Sequence, residues 1–139
     1  VEYGLRCGKK PIIIEGVQVW HETYDKRMTP LMQYYDTRNP LFVNQLYGFL
    51  PEPLQLLRQW KDKMTTFHVK GDWLSEYYVL LAMNDFLKGM GWLKRIDAGK
   101  YHKKLQKAKS CKVKNAICWR LVEHRAKKKF MVHKNNCSG

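Results

Sequence analysis

The sequence predicts an α+β fold: a single compact domain with a helical core and short antiparallel β-hairpins near residues 11–24 and 116–134. Three observations carry that expectation. Between residues 39 and 88, proline and aspartate caps precede segments whose apolar residues return every three to four positions, as helices packed on a core require. Residues 116–134 instead alternate apolar and polar side chains around a short tip, and residues 11–24 set an isoleucine-rich run and a period-two run on either side of a turn. No flexible, low-complexity stretch divides the 139 residues, a length that suits one domain.

In the first hairpin, residues 11–14 are rich in isoleucine, Glu15-Gly16 forms the turn, and residues 17–20 alternate with period two. Residues 25–30 read as a loop, although Thr29-Pro30 also suits the opening of a helical turn. Asn39-Pro40 is the stronger helix start, with Asn39 as cap and Pro40 in the first helical position. Phe42, Leu46 and Phe49 then share one stripe. Pro51-Glu52-Pro53 ends that helix and opens another, whose buried face is Leu56, Leu57, Trp60 and Met64. Residues 65–71 are expected to connect, with a short strand at 67–69.

Asp72 caps the next helix, residues 73–88. Its circumference is apolar almost all round, which marks a central helix packed on several sides. Gly89 and Gly91 stop it. Asp97 starts a helix of different character, running to 110, in which Tyr101, Leu105 and Ala108 make a narrow apolar stripe and lysines fill the rest. The final segment is read as a hairpin with its tip at His124-Arg125-Ala126-Lys127. That register pairs Leu121 with Phe130 and Trp119 with Val132 on an apolar face, and sets Cys118 opposite His133. Helices followed by a basic hairpin resemble a winged-helix arrangement, an analogy of fold that carries no function.

Charge is the most informative property. The chain has 26 Lys+Arg against 12 Asp+Glu, a formal net charge of +14. Residues 94–134 alone hold 15 basic residues against Asp97 and Glu123, so almost all of the excess sits in the last third. Such a concentration repels itself, and phosphate polymers are its commonest partner because each neutralised phosphate releases a counterion. The expected function is therefore nucleic-acid binding, DNA or RNA, through phosphate-backbone contacts of low sequence selectivity. The expected contacts are Lys100, Lys103, Lys104 and Lys107 on the basic helix, Lys112 and Lys114 in the connection, and Arg120, Arg125, Lys127, Lys128 and Lys129 on the hairpin. Lysine supplies point charge rather than bidentate base readout, so base reading would fall to Arg120, Arg125, His124 and Tyr101.

Two alternatives share these features. One is a protein–protein interaction module that docks an acidic partner, anchored by Trp20, Tyr24, Met32, Tyr34, Tyr35 and Tyr47. The other is a small intracellular zinc-stabilised regulatory domain. Cys111, Cys118, His133 and Cys137 form a ligand set that zinc accepts, with a His-x3-Cys spacing at its end. Against it, no Cys-x2-Cys pair exists, and ordinary thiols or disulfides fit the four cysteines as well. No cofactor is otherwise expected.

Catalysis has little support. Glu22 and Asp25 are near each other, five histidines are scattered, and neither a Gly-x-Gly-x-x-Gly nor a phosphate loop occurs. The chain is expected not to be an enzyme. No apolar run approaches the roughly 20 residues that span a bilayer. Without a signal-like segment after Val1, and given its thiol usage and basic run, an intracellular location, nucleus or cytoplasm, is the expectation.

Overall fold

A computed structural model describes Gly8, residues 28–109 and residues 112–131, and every regular element among them is a helix. They are α1 (Pro30–Leu46), α2 (Pro53–Val69), α3 (Trp73–Leu87), α4 (Met90–Arg95), α5 (Ala98–Gln106) and α6 (Lys112–Met131). The α+β expectation is therefore corrected to an all-helical architecture. The hairpin expected at 11–24 lies outside the described residues. The one expected at 116–134 is overturned over 116–131, which is helix, and with it the winged-helix analogy.

The physical reason lies at the supposed tip. His124-Arg125-Ala126-Lys127 contains none of the Gly, Asn or Asp residues that tight hairpins need, whereas alanine, arginine and lysine favour helix. The same segment also carries a helical period, Asn115, Cys118-Trp119, Val122, Ala126 and Lys129-Phe130. On that face Val122 is 2% exposed and Ala126 0% exposed. The apolar pairs of the alternating reading separate in the helix: Trp119 and Phe130 pack on the core, while Leu121 is left exposed.

Two further boundaries move. Helix α1 starts ten residues before Pro40, at Pro30, where the Thr29 hydroxyl accepts from the Met32 N–H (3.4 Å). Pro40 sits inside the helix and removes one backbone bond. Burial of Tyr34, Thr37, Leu41 and Phe42 against α3 outweighs that loss. Residues 67–69 are the last turn of α2 rather than a strand.

Helix α3 is the axis of the fold, as its all-round apolarity requires. On one flank, Leu41, Phe42, Leu56, Trp60 and Met64 join Val79, Leu80, Met83 and Phe86 with Val122 and Ala126 of α6. On the other, Tyr34, Tyr78, Ala82 and Leu105 form a second cluster. Gly71, at φ 69°, turns the chain tightly from α2 into α3, which therefore run antiparallel. Helix α6 runs parallel to α3. Asn115 Nδ2 donates to the Trp73 carbonyl (2.8 Å) at the start of α3, and Lys129 Nζ to the Leu87 carbonyl (3.1 Å) at its end. Helix α5 runs the opposite way, with Tyr101 at Asp85 and Leu105 at Tyr78.

Candidate nucleic-acid interface

Helices α5 and α6 grip different sides of α3 and leave between them one partly exposed strip of it: Leu74, Tyr77, Leu81, Asn84 and Lys88, spaced three or four apart. This strip is the middle of the candidate face. On α6, Lys114, Ile117, Leu121, Arg125 and Lys128 follow the same spacing along the edge nearest the strip. Two contacts fix that orientation: Lys114 Nζ lies 4.0 Å from the centre of the Tyr77 ring, and Arg125 donates to Asn84 Oδ1. A groove of about 120 Å³ runs between Tyr77, Leu81 and Asn84 on one side and Cys118, Leu121 and Arg125 on the other. Helix α5 ends at Gln106 rather than at the expected 110; Tyr101 and Leu105 on it and Ala108 just beyond it face the core, and Lys100, Lys103, Lys104 and the capping Lys107 are all exposed.

The expected cations are therefore distributed unequally. Lys114, Arg125 and Lys128 border the strip. Arg120 and Lys127 lie on the far edge of α6, where Lys127 pairs with Glu123 (2.8 Å). Lys112 opens α6, and its side chain is outside the described residues. Lys129 is withdrawn from the face: it is half-buried, bonded to the Leu87 carbonyl, and lies 5.5 Å from the Phe86 ring centre. Burial pushes its ammonium below the usual lysine range. Tyr101 is also withdrawn, because its hydroxyl is held by Asp85; His124 is exposed.

Neutralisation is local and slight. Among the described residues, the carboxylates paired to cations beyond residue 93 are Asp97, on Lys100 (3.6 Å), and Glu123, each within its own helical turn. Among the described residues no carboxylate of residues 28–93 pairs with those cations: Asp36 meets Lys63, and the two buried carboxylates are engaged within the core. Asp85, fully buried, accepts from Tyr34 (2.7 Å), Tyr101 (2.5 Å) and Lys88 (2.6 Å). Burial, followed by the hydrogen bond to Asp85, pushes both tyrosine hydroxyls well above the ordinary phenol range. Glu76, also buried, meets His68 Nδ1 (3.1 Å) and Asn115 Nδ2 (2.7 Å) and so ties α2, α3 and α6 together.

Over 99 residues the chain is 29% identical to the CDP-diacylglycerol–serine O-phosphatidyltransferase PssA of Escherichia coli (strain K12), a match covering 67% of this chain and 21% of that protein. The chain thus spans about a fifth of the length of that relative. No family model and no solved structure matches it.

Of the zinc set, Cys111, His133 and Cys137 lie outside the described residues. Cys118 is on α6, half-buried in the groove with a free thiol that burial pushes upward. Its expected place across from His133 came from the hairpin register and loses that basis. Among the described residues no three His, Cys, Asp or Glu side chains gather as metal ligands, and no helix is long and apolar enough to cross a membrane.

Proposed function

We propose that the chain binds nucleic acid through phosphate-backbone contacts made by the exposed cations of α5 and α6, with low sequence selectivity. The observation that carries this reading is the lack of neutralisation: two basic helices flank the exposed strip of α3, and their charges meet almost no carboxylate. A polyanion supplies the missing negative charge and gains by counterion release. Lysines dominate, so the contacts position a backbone rather than read bases. Tyr77, Leu81 and Leu121 along the groove offer apolar surface between the charges, suited to the sugar and base faces of a single strand. The test is a titration of the full chain against single- and double-stranded DNA and RNA over a series of salt concentrations. Affinity falling linearly in log–log form supports the reading; affinity that is absent at low salt, or insensitive to salt, overturns it.

A second reading is favoured by the similarity to PssA. Its name gives CDP-diacylglycerol as the phosphatidyl donor, a lipid carrying a diphosphate, and the same cations would suit that group. Transfer of labelled serine into lipid by this chain would support it. Failure of CDP-diacylglycerol both to react and to compete with nucleic acid would remove it.

A further inference from the structure

The apolar surface of this protein is concentrated as tellingly as its charge. Leu46 is 58% exposed, Phe49 62% and Leu54 55%, and these three of the six exposed large hydrophobics among the described residues fall within the α1–α2 connection and its borders. Sequence periodicity places Leu46 and Phe49 on the buried stripe of a helix. Instead the helix ends at Leu46, and both side chains face water.

The connection is built rather than loose. Gly48, at φ 72°, reverses the chain, the Phe49 N–H donates to the Asn44 carbonyl (2.7 Å), and the Phe49 ring stacks on Tyr47 at 6.4 Å. Leu50 anchors it in the core, and Pro51 and Pro53 stiffen the far side. Over residues 46–54 the only charge is Glu52.

Cations surround its place in the bundle. Phe42, one turn before Leu46, packs its ring on Phe86 (5.3 Å), and Trp60 of α2 meets the same ring (6.1 Å). The connection therefore lies at the end of the bundle where α3 finishes. Helix α6 finishes there too, as Lys129 on the Leu87 carbonyl fixes. Exposed Lys127 and Lys128 thus stand at this end, together with exposed Lys94 and Arg95 of α4, which follows α3 directly. Of the acidic groups nearby, Asp85 is buried against Lys88, Glu123 is paired with Lys127 and Asp97 with Lys100, leaving Glu52.

From this juxtaposition we infer that this end of the bundle docks on an anionic lipid bilayer, with Leu46, Phe49 and Leu54 entering the interface and Lys94, Arg95, Lys127 and Lys128 against lipid phosphates. Charge complementarity selects the occupant: bare apolar side chains bordered by cations, of which Lys94, Arg95 and Lys128 have no carboxylate partner among the described residues, match acyl chains beneath negative headgroups. A nucleic acid offers no apolar phase for a leucine–phenylalanine apex. The inference rests on neither reading above: Leu46, Phe49 and Leu54 take no part in the α5–α6 face, and of the cations Lys127 and Lys128 alone belong to both.

The test is co-sedimentation of the full chain with vesicles of phosphatidylcholine alone and of phosphatidylcholine mixed equally with phosphatidylglycerol. Binding is expected only to the mixed vesicles. The variant Leu46→Ser/Phe49→Ser/Leu54→Ser, whose altered side chains are all more than half exposed, should keep its helical circular dichroism and nucleic-acid affinity. It should lose vesicle binding by about tenfold or more. Equal binding to neutral vesicles, or unchanged binding of the variant, overturns the inference. So does concentration-dependent self-association that the variant abolishes while neither vesicle is bound, which assigns the apex to a second copy of the chain.

Discussion

Replacing Asp85 by alanine should destabilise the protein by about 3 kcal/mol. The figure follows from what the carboxylate holds. Asp85 is 0% exposed and accepts from three donors on three elements, Tyr34 of α1, Tyr101 of α5 and Lys88 just beyond α3. Tyr34 is itself 0% exposed, so its hydroxyl has no access to water; an unsatisfied buried donor costs about 1–3 kcal/mol. The Tyr101 and Lys88 groups are partly exposed and can turn to water, so each adds about 1 kcal/mol or less. Removing a buried carboxylate returns part of its desolvation cost, which keeps the total at the lower end of the roughly 3–5 kcal/mol typical of a broken buried ion pair. Asp85→Asn preserves the shape and one acceptor oxygen, and should cost about half as much. Urea denaturation followed by circular dichroism measures both. If Asp85→Ala unfolds within about 0.5 kcal/mol of the native sequence, the three hydrogen bonds do not hold α1 and α5 to α3.

The same cluster sets an alkaline limit. Burial and Asp85 hold the Tyr34 and Tyr101 hydroxyls above their unfolded value of 10.0, so their stabilisation is complete below that pH. It is lost as the unfolded chain ionises, at about 2–3 kcal/mol per pH unit for the pair, and Tyr34→Phe should roughly halve the slope. Thr37 is buried and its hydroxyl has no hydrogen-bond partner among the described residues, so Thr37→Val should stabilise by about 1 kcal/mol in the same denaturation assay. His124→Pro, at an exposed position inside α6, should cost about 3 kcal/mol or more; a loss below about 1 kcal/mol would restore the hairpin tip.

Legibility follows the agreement between capping signals and period. Helices α2, α3 and α5 are readable because Pro53, Asp72 and Asp97 each stand just where an apolar stripe begins. Helix α6 reads wrongly as a hairpin because residues 116–131 satisfy two periods at once; the tip's lack of Gly, Asn and Asp already favours the helix, and packing on Val79, Leu80 and Met83 fixes it. Helix α1 reads too short because Pro40 resembles a start, while the burial of Tyr34 that carries the helix through it is tertiary. The charge of the candidate face is plain in the sequence, but its division between two flanks of α3 is not. Nor does a lysine run reveal that Lys129 turns inward to a carbonyl. The floor of the groove, Tyr77, Leu81 and Asn84, escapes sequence reasoning because a nearly all-apolar helix hides which residues it leaves uncovered. Asp85 does carry a signal: a carboxylate amid such a helix is seldom there without partners.

The salt dependence of duplex DNA binding tests the central claim most directly. Neutralising two cations on each flank, Lys104→Gln and Lys107→Gln on α5 with Arg125→Gln and Lys128→Gln on α6, should shrink the log–log slope by about 0.9 for each phosphate that is no longer neutralised, or about 3 to 4 in all. Each pair alone should give roughly half of that. A slope equal to the native one in the quadruple variant, with its helical content intact, would contradict the assignment of this face to the phosphate backbone.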